Sequence, residues 1–275
     1  MFQAKYCGVD FFNACLNGST GRVHSVFNQA VNIQLNRLNE TLLTITRENM
    51  DMFCSNLSII ANGESLLNHF NIDDIVIFTF ERIYVNNVAI IAMDKVQTWE
   101  RQSDENIHHF YHGFKHNIVL GNCRELKEVI AMSKKSDLDY PQLKWFDVDV
   151  CDWIGKGSGL TPSGDDFLAG FLHAGNYLSK LFGKEIPEFS HFKSRIEFNL
   201  HRTGSISRHF LSYALRSEWG KYTEDILMNL GSKNTNILFK YVEQKMAVGA
   251  SSGVDEVMGL IYGFEQLLKF PQSNL

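Results

Sequence analysis

The sequence predicts an α+β protein, with a β-rich N-terminal part followed by a mainly helical C-terminal domain. Two observations lead to this class. Short runs of alternating apolar and polar residues, separated by turns rich in Asn and Gly, fill the first hundred residues. After Trp99 the pattern changes to apolar residues at helical spacing, and the N-terminal half lacks alternating strand and helix units. We therefore expect a β-rich domain over 1–100, a helical connector over 101–150 and a helical domain over 151–275.

Strand patterning is clearest in five short runs of the N-terminal part. These predicted strands are 22–27, 30–35, 41–46, 75–80 and 88–93. Asn86 and Asn87 lie between β-branched neighbours, which predicts a tight turn with positive φ.

Helical patterning begins with 103–117 and 122–134 and covers nearly everything from Asp165 onward. One apolar stripe runs from Phe167 to Leu181, and Gly183 predicts the end of that helix. The further predicted helices are 190–201, 205–217, 222–230, 234–247 and 254–269.

Composition limits the possible classes of function. The net charge of -5 argues against a dedicated nucleic-acid binder, which usually presents a basic face. No run of 18 apolar residues is found and the N-terminus lacks signal-peptide features, so no membrane partner is expected. The five cysteines form no CxxC pair, which favours a reduced cytoplasm over a disulfide framework or a cysteine zinc site.

The most informative stretch runs from Gly155 to Asp166, directly before an apolar helix. It combines glycines, hydroxyl side chains, a lysine and two adjacent carboxylates: Gly155, Lys156, Gly157, Ser158, Gly159, Thr161, Ser163, Gly164, Asp165 and Asp166. Glycines let backbone N–H groups turn toward an anion, and the N-terminus of a helix favours negative charge. This pattern predicts an anion-binding loop.

The start of that helix occurs a second time in the chain. Ser163 to Gly170 and Ser252 to Gly259 share the pattern Ser-Gly-x-Asp-x-x-x-Gly, so Asp255 corresponds to Asp166. The chain is therefore predicted to build the same helix entrance twice.

A third polar segment, 202–209, contains two arginines, three hydroxyl residues and a histidine. Arginine is the usual bidentate partner of a carboxylate or phosphate, so Arg202 or Arg208 is a candidate ligand contact. The alternative is that Thr203 or Ser205 simply caps the next helix.

Capping is also the alternative for the repeated motif. Ser163 with Asp166, and Ser252 with Asp255, each fit a capping box that needs no ligand. A capping box does not explain the upstream glycines, Lys156 or the second carboxylate at Asp165. Two carboxylates would repel an anion unless a cation, a proton or a substrate amine offsets them. The motif therefore indicates a ligand with anionic and donor ends, or an anion with a metal.

Histidines at 108, 112 and 116 would share one helix face at a spacing that suits a metal. Nothing supplies the carboxylate of an HExxH pattern, so we expect a solvated face and predict no metal or cofactor.

Two families share parts of this sequence. Ser163 to Gly170 resembles, over about ten residues, the GAGD-x-F-x-x-G signature of ribokinase-type sugar kinases, in which the Asp is the base and the glycines bind phosphate. The first Gly of that signature is missing here. The resemblance implies an alternative function, an ATP- and magnesium-dependent small-molecule kinase.

The second resemblance covers most of the chain. Gly157 to Gly170, Thr203 to Ser207 and Gly249 to Gly259 resemble the motifs of the family that includes the AllH subunit of bacterial oxamate carbamoyltransferase. Ser251 stands where that family often has Thr and keeps the hydroxyl. The resemblance implies a subunit of a transferase that converts oxalurate and phosphate into oxamate and carbamoyl phosphate in allantoin-linked purine catabolism, together with other subunits.

The residues suit that chemistry, with Asp165, Asp166 and Asp255 as candidate catalytic groups that accept from an amide or ureido nitrogen. The candidate anion-binding residues are Lys156, Gly157, Ser158, Gly159, Thr161, Ser163, Gly164, Thr203, Ser205, Ser207, Arg208, Ser251, Ser252 and Gly253. The alternative that is not an enzyme is a binding or scaffolding subunit whose active residues lie in a partner.

Overall fold

The computed structural model describes residues 1–36, 41–101, 115–133 and 149–269. The chain divides into two compact units, residues 1–101 and 102–275. Helices and strands are numbered below in chain order. Most of the predicted helix 103–117, with His108, His109 and His112, lies outside the described residues.

The N-terminal unit consists of nine strands and one helix in its described part. The elements are β1 Phe2–Gly8, α1 Val9–Leu16, β2 Thr20–Val26, β3 Ala30–Leu35, β4 Leu42–Arg47, β5 Asn56–Ile60, β6 Ile75–Phe78, β7 Arg82–Val85, β8 Val88–Ala92 and β9 Gln97–Trp99. Asn86 and Asn87 form the β7–β8 turn with φ of 47° and 67°, as predicted.

The sheet closes on itself. The strand order is β5-β4-β3-β2-β6-β7-β8-β1, and β1 also pairs with β5 in an antiparallel ladder, which completes a ring. Most neighbours are antiparallel; β4–β5, β1–β8 and β1–β9 are parallel. Closure supplies hydrogen-bond partners to strands that would otherwise form an open edge.

The core of this unit follows the alternation of the strands. Val31 and Ile33 of β3 lie opposite Ile45 and Leu43 of β4, and all four are completely buried. Side chains two residues apart share one sheet face, so these pairs point into the same apolar interior. The prediction of a β-rich N-terminal part is confirmed.

The second unit is mainly helical, which confirms the predicted fold class. Its helices are α2 His116–Ser133, α3 Ser163–Phe182, α4 Pro187–Asn199, α5 Ser205–Leu215, α6 Lys221–Asn229, α7 Thr235–Met246 and α8 Ser252–Leu267. Helix α3 ends at Gly183, which takes the predicted left-handed conformation with φ of 65°. Helices α3 and α8 are buried on nearly all sides and lie at the centre of this unit.

Helices α3 and α8 touch through their backbones. A Cβ atom on Gly170 would overlap the carbonyl oxygen of Glu256, and one on Gly259 would overlap that of Phe167. Counted from the first Ser of each motif, the eighth residue of each helix thus meets the fifth residue of the other. Further along, Gly263 contacts the α3 turn at Ala174. The two helices therefore run parallel and are related by a local two-fold axis.

Candidate functional site

The two Ser-Gly-x-Asp helix starts meet in space. Oγ1 of Thr161 lies 2.8 Å from Oγ of Ser252, and Oγ of Ser163 lies 3.5 Å from Oγ of Ser251. Because the helices are parallel, their first-turn N–H groups and the positive ends of both dipoles lie at the same end of the pair. The two motifs, far apart in sequence, form one location that favours an anion.

The glycine loop before α3 folds back on the helix start. Gly155, Gly157 and Gly159 all have positive φ, of 75°, 120° and 90°. At Gly157 the conformation is combined with a close approach, since a Cβ there would lie 2.8 Å from the backbone nitrogen of Ser163. The N–H of Gly164 donates to the Lys156 carbonyl at 2.8 Å. Residues 156–160 are exposed, so the loop presents its backbone and Ser158 to solvent beside the helix start.

Asp165 is buried and fastens the loop to two other segments. Its Oδ1 accepts the Gly155 N–H at 2.8 Å, and its Oδ2 accepts the Thr203 hydroxyl at 2.5 Å. Burial raises the pKa of this carboxyl, and hydrogen bonds from Thr203, Gly155 and Ser207 oppose that rise. Asp165 thus joins the loop, the start of α3 and the start of α5.

The capping interpretation is wrong for these helices. Pro162 and Ser251 flank the starts of α3 and α8, and neither makes a side-chain cap bond. Ser163 and Ser252 are the first helical residues, so their hydroxyls reach across to the partner motif instead of capping their own helix. At α5 the flanking residue is Gly204, also without a side-chain cap, and Ser205 is the first helical residue.

The cationic residues of the predicted site bind backbone carbonyls and a ring. Arg208 donates from Nε to the Leu200 carbonyl at 3.3 Å and from Nη2 to the Thr203 carbonyl at 3.1 Å. Arg202 donates to the Cys151 carbonyl at 3.3 Å. The Lys156 ammonium lies 4.7 Å from the centre of the Trp153 ring. These contacts hold the backbone that leads into α3 and α5.

Asp166 and Asp255 occupy the same position in the two motifs. Asp255 is completely buried. Asp166 is hydrogen-bonded to Ser252, while its buried Oδ2 has no hydrogen-bond partner among the described residues. Burial raises the pKa of Asp166 well above its usual range, and repulsion from Glu256 and Asp255 adds to the rise. A half-buried carboxyl group with a raised pKa thus lies beside the helix starts.

A buried polar cluster next to Asp166 was missed by sequence analysis. Glu256 accepts from the Lys245 ammonium at 2.7 Å and from the Thr223 hydroxyl at 2.7 Å, and its Oε1 lies 3.6 Å from Nε2 of His173. Burial would raise the pKa of Glu256, but the Lys245 ammonium and the Thr223 hydrogen bond act in the opposite direction, and the pKa is lowered. Glu256 is therefore held as a carboxylate.

Two members of this cluster could have been found from the sequence. Glu256 directly follows the motif Asp255, and His173 lies on the face of α3 that carries Asp166 and Gly170, at i, i+4 and i+7. Lys245 and Thr223 come from helices without a recognisable motif.

The described residues contain neither a metal-binding cluster nor a membrane-spanning helix. No three or more His, Cys, Asp or Glu side chains in these ranges are arranged to hold a metal ion. Among the helices in the same ranges, none has the length and apolar character needed to cross a membrane.

Comparison with known families covers both units. Residues 3–98 match the AllH family N-terminal domain, and residues 153–264 match oxamate carbamoyltransferase subunit AllH. No solved structure matches the chain. The second match contains the glycine loop, both helix starts and the Asp165 contacts. Since the two matches together cover most of the chain, as the resemblance in sequence predicted, this protein belongs to the AllH family.

Proposed function

We propose that this chain is the anion-binding subunit of an oxamate carbamoyltransferase-like enzyme of purine catabolism. The enzyme would transfer a carbamoyl group from oxalurate to phosphate, giving oxamate and carbamoyl phosphate. The observation that carries the proposal is the meeting of the two helix starts, joined by the 2.8 Å contact of Thr161 and Ser252, inside the region matched by the family model.

The chemistry of the paired starts suits a phosphate or a tetrahedral intermediate. Backbone N–H groups at a helix N-terminus are fixed donors, and such donors stabilise an oxyanion without reorganising during the reaction. The hydroxyls of Thr161, Ser163, Ser251 and Ser252 lie together at this end and add further donors. We assign oxyanion stabilisation as the main catalytic contribution of this chain.

The three aspartates of the two motifs have distinct roles in this proposal. Asp165 is engaged by the Gly155 N–H and the Thr203 hydroxyl, so it is a positioning residue that holds the loop. Asp166, which is hydrogen-bonded to Ser252, and Asp255, its counterpart on α8, would act on the carbamoyl nitrogen or the anion through the hydroxyls at the helix starts. The other subunits of the enzyme would complete the site.

Ligand-dependent stability tests the anion site on this chain. Thermal unfolding is followed with phosphate, carbamoyl phosphate, oxamate, and ATP with magnesium. A ligand present at about 100 times its dissociation constant stabilises the fold by about 2.7 kcal/mol. We expect stabilisation by phosphate or carbamoyl phosphate. Stabilisation by ATP with magnesium alone would favour the kinase, and no response to any of them would favour a scaffolding subunit.

Asp166→Asn tests the carboxyl that the proposal uses. We expect loss of carbamoyl transfer in the assembled enzyme with the fold retained. Because the pKa of Asp166 is raised in the fold, wild-type stability is lost as pH rises from the usual Asp range through the folded value. The Asn variant lacks this loss, so its free energy of unfolding at neutral pH, measured with urea, should exceed that of the wild type.

The matched control is Asp225→Asn, which alters the exposed Lys221–Asp225 pair on α6. Transfer activity should be unaffected in this variant, and its dependence of stability on pH should follow the wild type. Full activity in Asp166→Asn would contradict the assigned role.

A further inference from the structure

We propose that Thr161, Ser252 and Asp166 form a hydroxyl relay that donates to the anion while Asp166 carries a proton, and that the neighbouring Glu256 carboxylate is the positioning residue that favours this state. This inference rests on the proposed function, because it names how the anion site between the helix starts avoids repelling its ligand.

The relay leads from the loop to the carboxyl group of Asp166. Oγ1 of Thr161 lies 2.8 Å from Oγ of Ser252, and Ser252 is in turn hydrogen-bonded to Asp166. Thr161 is half-buried at the edge of the exposed glycine loop, whereas Oδ2 of Asp166 is buried and has no hydrogen-bond partner within the described ranges. One end of the chain of hydroxyls is therefore open to a ligand and the other is closed.

The proton on Asp166 decides the direction of both hydrogen bonds in the relay, since each hydroxyl carries a single hydrogen. An ionised Asp166 accepts from Ser252, which accepts from Thr161, so both hydrogens point inward and the ligand meets oxygen lone pairs. A protonated Asp166 donates to Ser252, which donates to Thr161, whose hydrogen then points to the anion. The same three residues repel an anion in the first state and bind it in the second.

Glu256 is placed to favour the second state. Asp166, Gly170 and His173 form one stripe along α3, and Gly170 brings that stripe against the backbone of Glu256. Lys245 and Thr223 hold the Glu256 carboxylate, each at 2.7 Å. A second negative group beside Asp166 disfavours a further negative charge there.

The other ionisable groups near Asp166 lie on α3, α7 and α8. Asp255 of α8 adds repulsion, and Lys245 of α7 acts in the opposite direction. Asp165 on α3 is turned to Gly155 and Thr203. His173 is completely desolvated, which lowers its pKa to about 4 and leaves it neutral near pH 7. Burial, with the repulsion from Glu256 and Asp255, outweighs the Ser252 hydrogen bond and Lys245, so the pKa of Asp166 is raised.

Sulfate binding as a function of pH tests the relay. Sulfate is used because it remains a dianion over the range in which phosphate titrates, so any pH dependence reports the protein. Affinity is measured by calorimetry for the full wild-type chain, Glu256→Gln and Glu265→Gln. Glu265 is the matched control because it lies on the same helix as Glu256, nine residues and about 13 Å further along the axis, and forms its own ion pair with Lys127 of α2.

In the wild type we expect sulfate affinity to fall as rising pH ionises Asp166. In Glu256→Gln the midpoint of this fall should move to lower pH, whereas in Glu265→Gln it should stay in place. Sulfate binding with the same midpoint in wild type and Glu256→Gln would overturn the relay but leave the anion site intact. No sulfate or phosphate binding at any pH would overturn the anion site itself, and the relay with it.

Ser252→Ala provides a test that leaves the buried Lys245–Glu256 pair untouched. Removing the middle hydroxyl leaves the Thr161 hydrogen free to face sulfate whatever the charge of Asp166, so the affinity at high pH should rise toward its low-pH value and the pH dependence should flatten. Ser190→Ala, which removes a hydroxyl on α4 that donates to the Ile186 carbonyl, should preserve the wild-type affinity and pH dependence. An unchanged pH profile in Ser252→Ala would contradict the relay.

Discussion

The two helix starts of the C-terminal unit are built on the same motif but differ in the residues between its fixed positions. At the third position α3 has Asp165, which ties down the glycine loop, while α8 has the buried apolar Val254. At the fifth position α3 has Phe167 and α8 has Glu256. The shared residues build the parallel helix pair, and the residues that differ give one start a fastened loop and the other a buried charge.

The same contrast continues six residues further along each helix. At the eleventh position, His173 of α3 reaches Glu256, with Nε2 and Oε1 3.6 Å apart. Its counterpart on α8, Tyr262, packs on Phe167, with ring centres 5.5 Å apart. Across the local two-fold axis a polar pair thus corresponds to an aromatic pair. A symmetric scaffold can therefore carry an asymmetric site.

The largest expected effect comes from breaking the contact that both starts share. Gly170→Ala or Gly259→Ala would place a methyl group on the carbonyl oxygen of the partner helix. Backbone atoms cannot move aside as side chains do, so each variant should lose more than about 3 kcal/mol of unfolding free energy. Urea denaturation measures the loss.

Gly121→Ala on α2 is the control, because a Cβ there has open space. That variant should match or exceed wild-type stability, since Ala favours a helix by about 1 kcal/mol over Gly. Equal stability of Gly170→Ala and Gly121→Ala would show that the helices do not touch through their backbones.

The second largest effect is expected at the eleventh position, where His173 should make the stability of the fold depend on pH. The pKa of His173 is lowered from 6.5 to about 4 by burial, so the fold keeps it neutral while the unfolded chain takes up a proton. The stability it contributes is present above 6.5 and is lost as pH falls toward about 4. The shift corresponds to about 3 kcal/mol.

His173→Gln should remove most of this loss. Unfolding free energies of wild type and variant are compared near neutral pH and near the lowered pKa. His69→Gln is the control, because this imidazole is partly exposed beside Glu64 in the N-terminal unit. If the unfolding free energy of His173→Gln falls with decreasing pH as steeply as that of wild type, His173 is not the group responsible for the loss.

A smaller effect is expected at the third position. Asp165→Asn replaces one acceptor oxygen with a donor that faces either the Gly155 N–H or the Thr203 hydroxyl. One buried donor then loses its partner, which should cost about 2 kcal/mol. Faster proteolysis of the 155–160 loop should accompany the loss. In Asp225→Asn, which alters only a surface pair, the change should be below about 0.5 kcal/mol and the loop should be cleaved as in wild type.

Local patterns made much of this molecule predictable. Helix α3 was found because its apolar stripe is long and Gly183 ends it, and the turn at Asn86 was found from its chemistry. Strand β5 was missed, because the run of Asn56 to Ile60 is short and its place is set by pairing with β1, which is far away in the sequence. Closure of the sheet depends on such distant partners, and periodicity does not report them.

The candidate site, like the fold, could be predicted only where a local sequence pattern marks it. The repeated motif predicted that Asp166 and Asp255 belong together, but it could not show that the two starts touch. The capping interpretation failed because Ser163 and Ser252 are the first residues inside their helices, where each hydroxyl reaches the other motif. Lys245 joins the site only through the packing of α7 on α8, which leaves no local signal.

The backbone contact between α3 and α8 also constrains how relatives of this protein can diverge. The backbone of the other helix contacts each eighth position directly, so glycine at 170 and 259 should be retained whatever ligand a relative binds. The fifth and eleventh positions meet through side chains across the same contact. Evolution can therefore retune the charge of the site by exchanging residues 173 and 256 as a pair, while the frame that holds the two helix starts stays fixed.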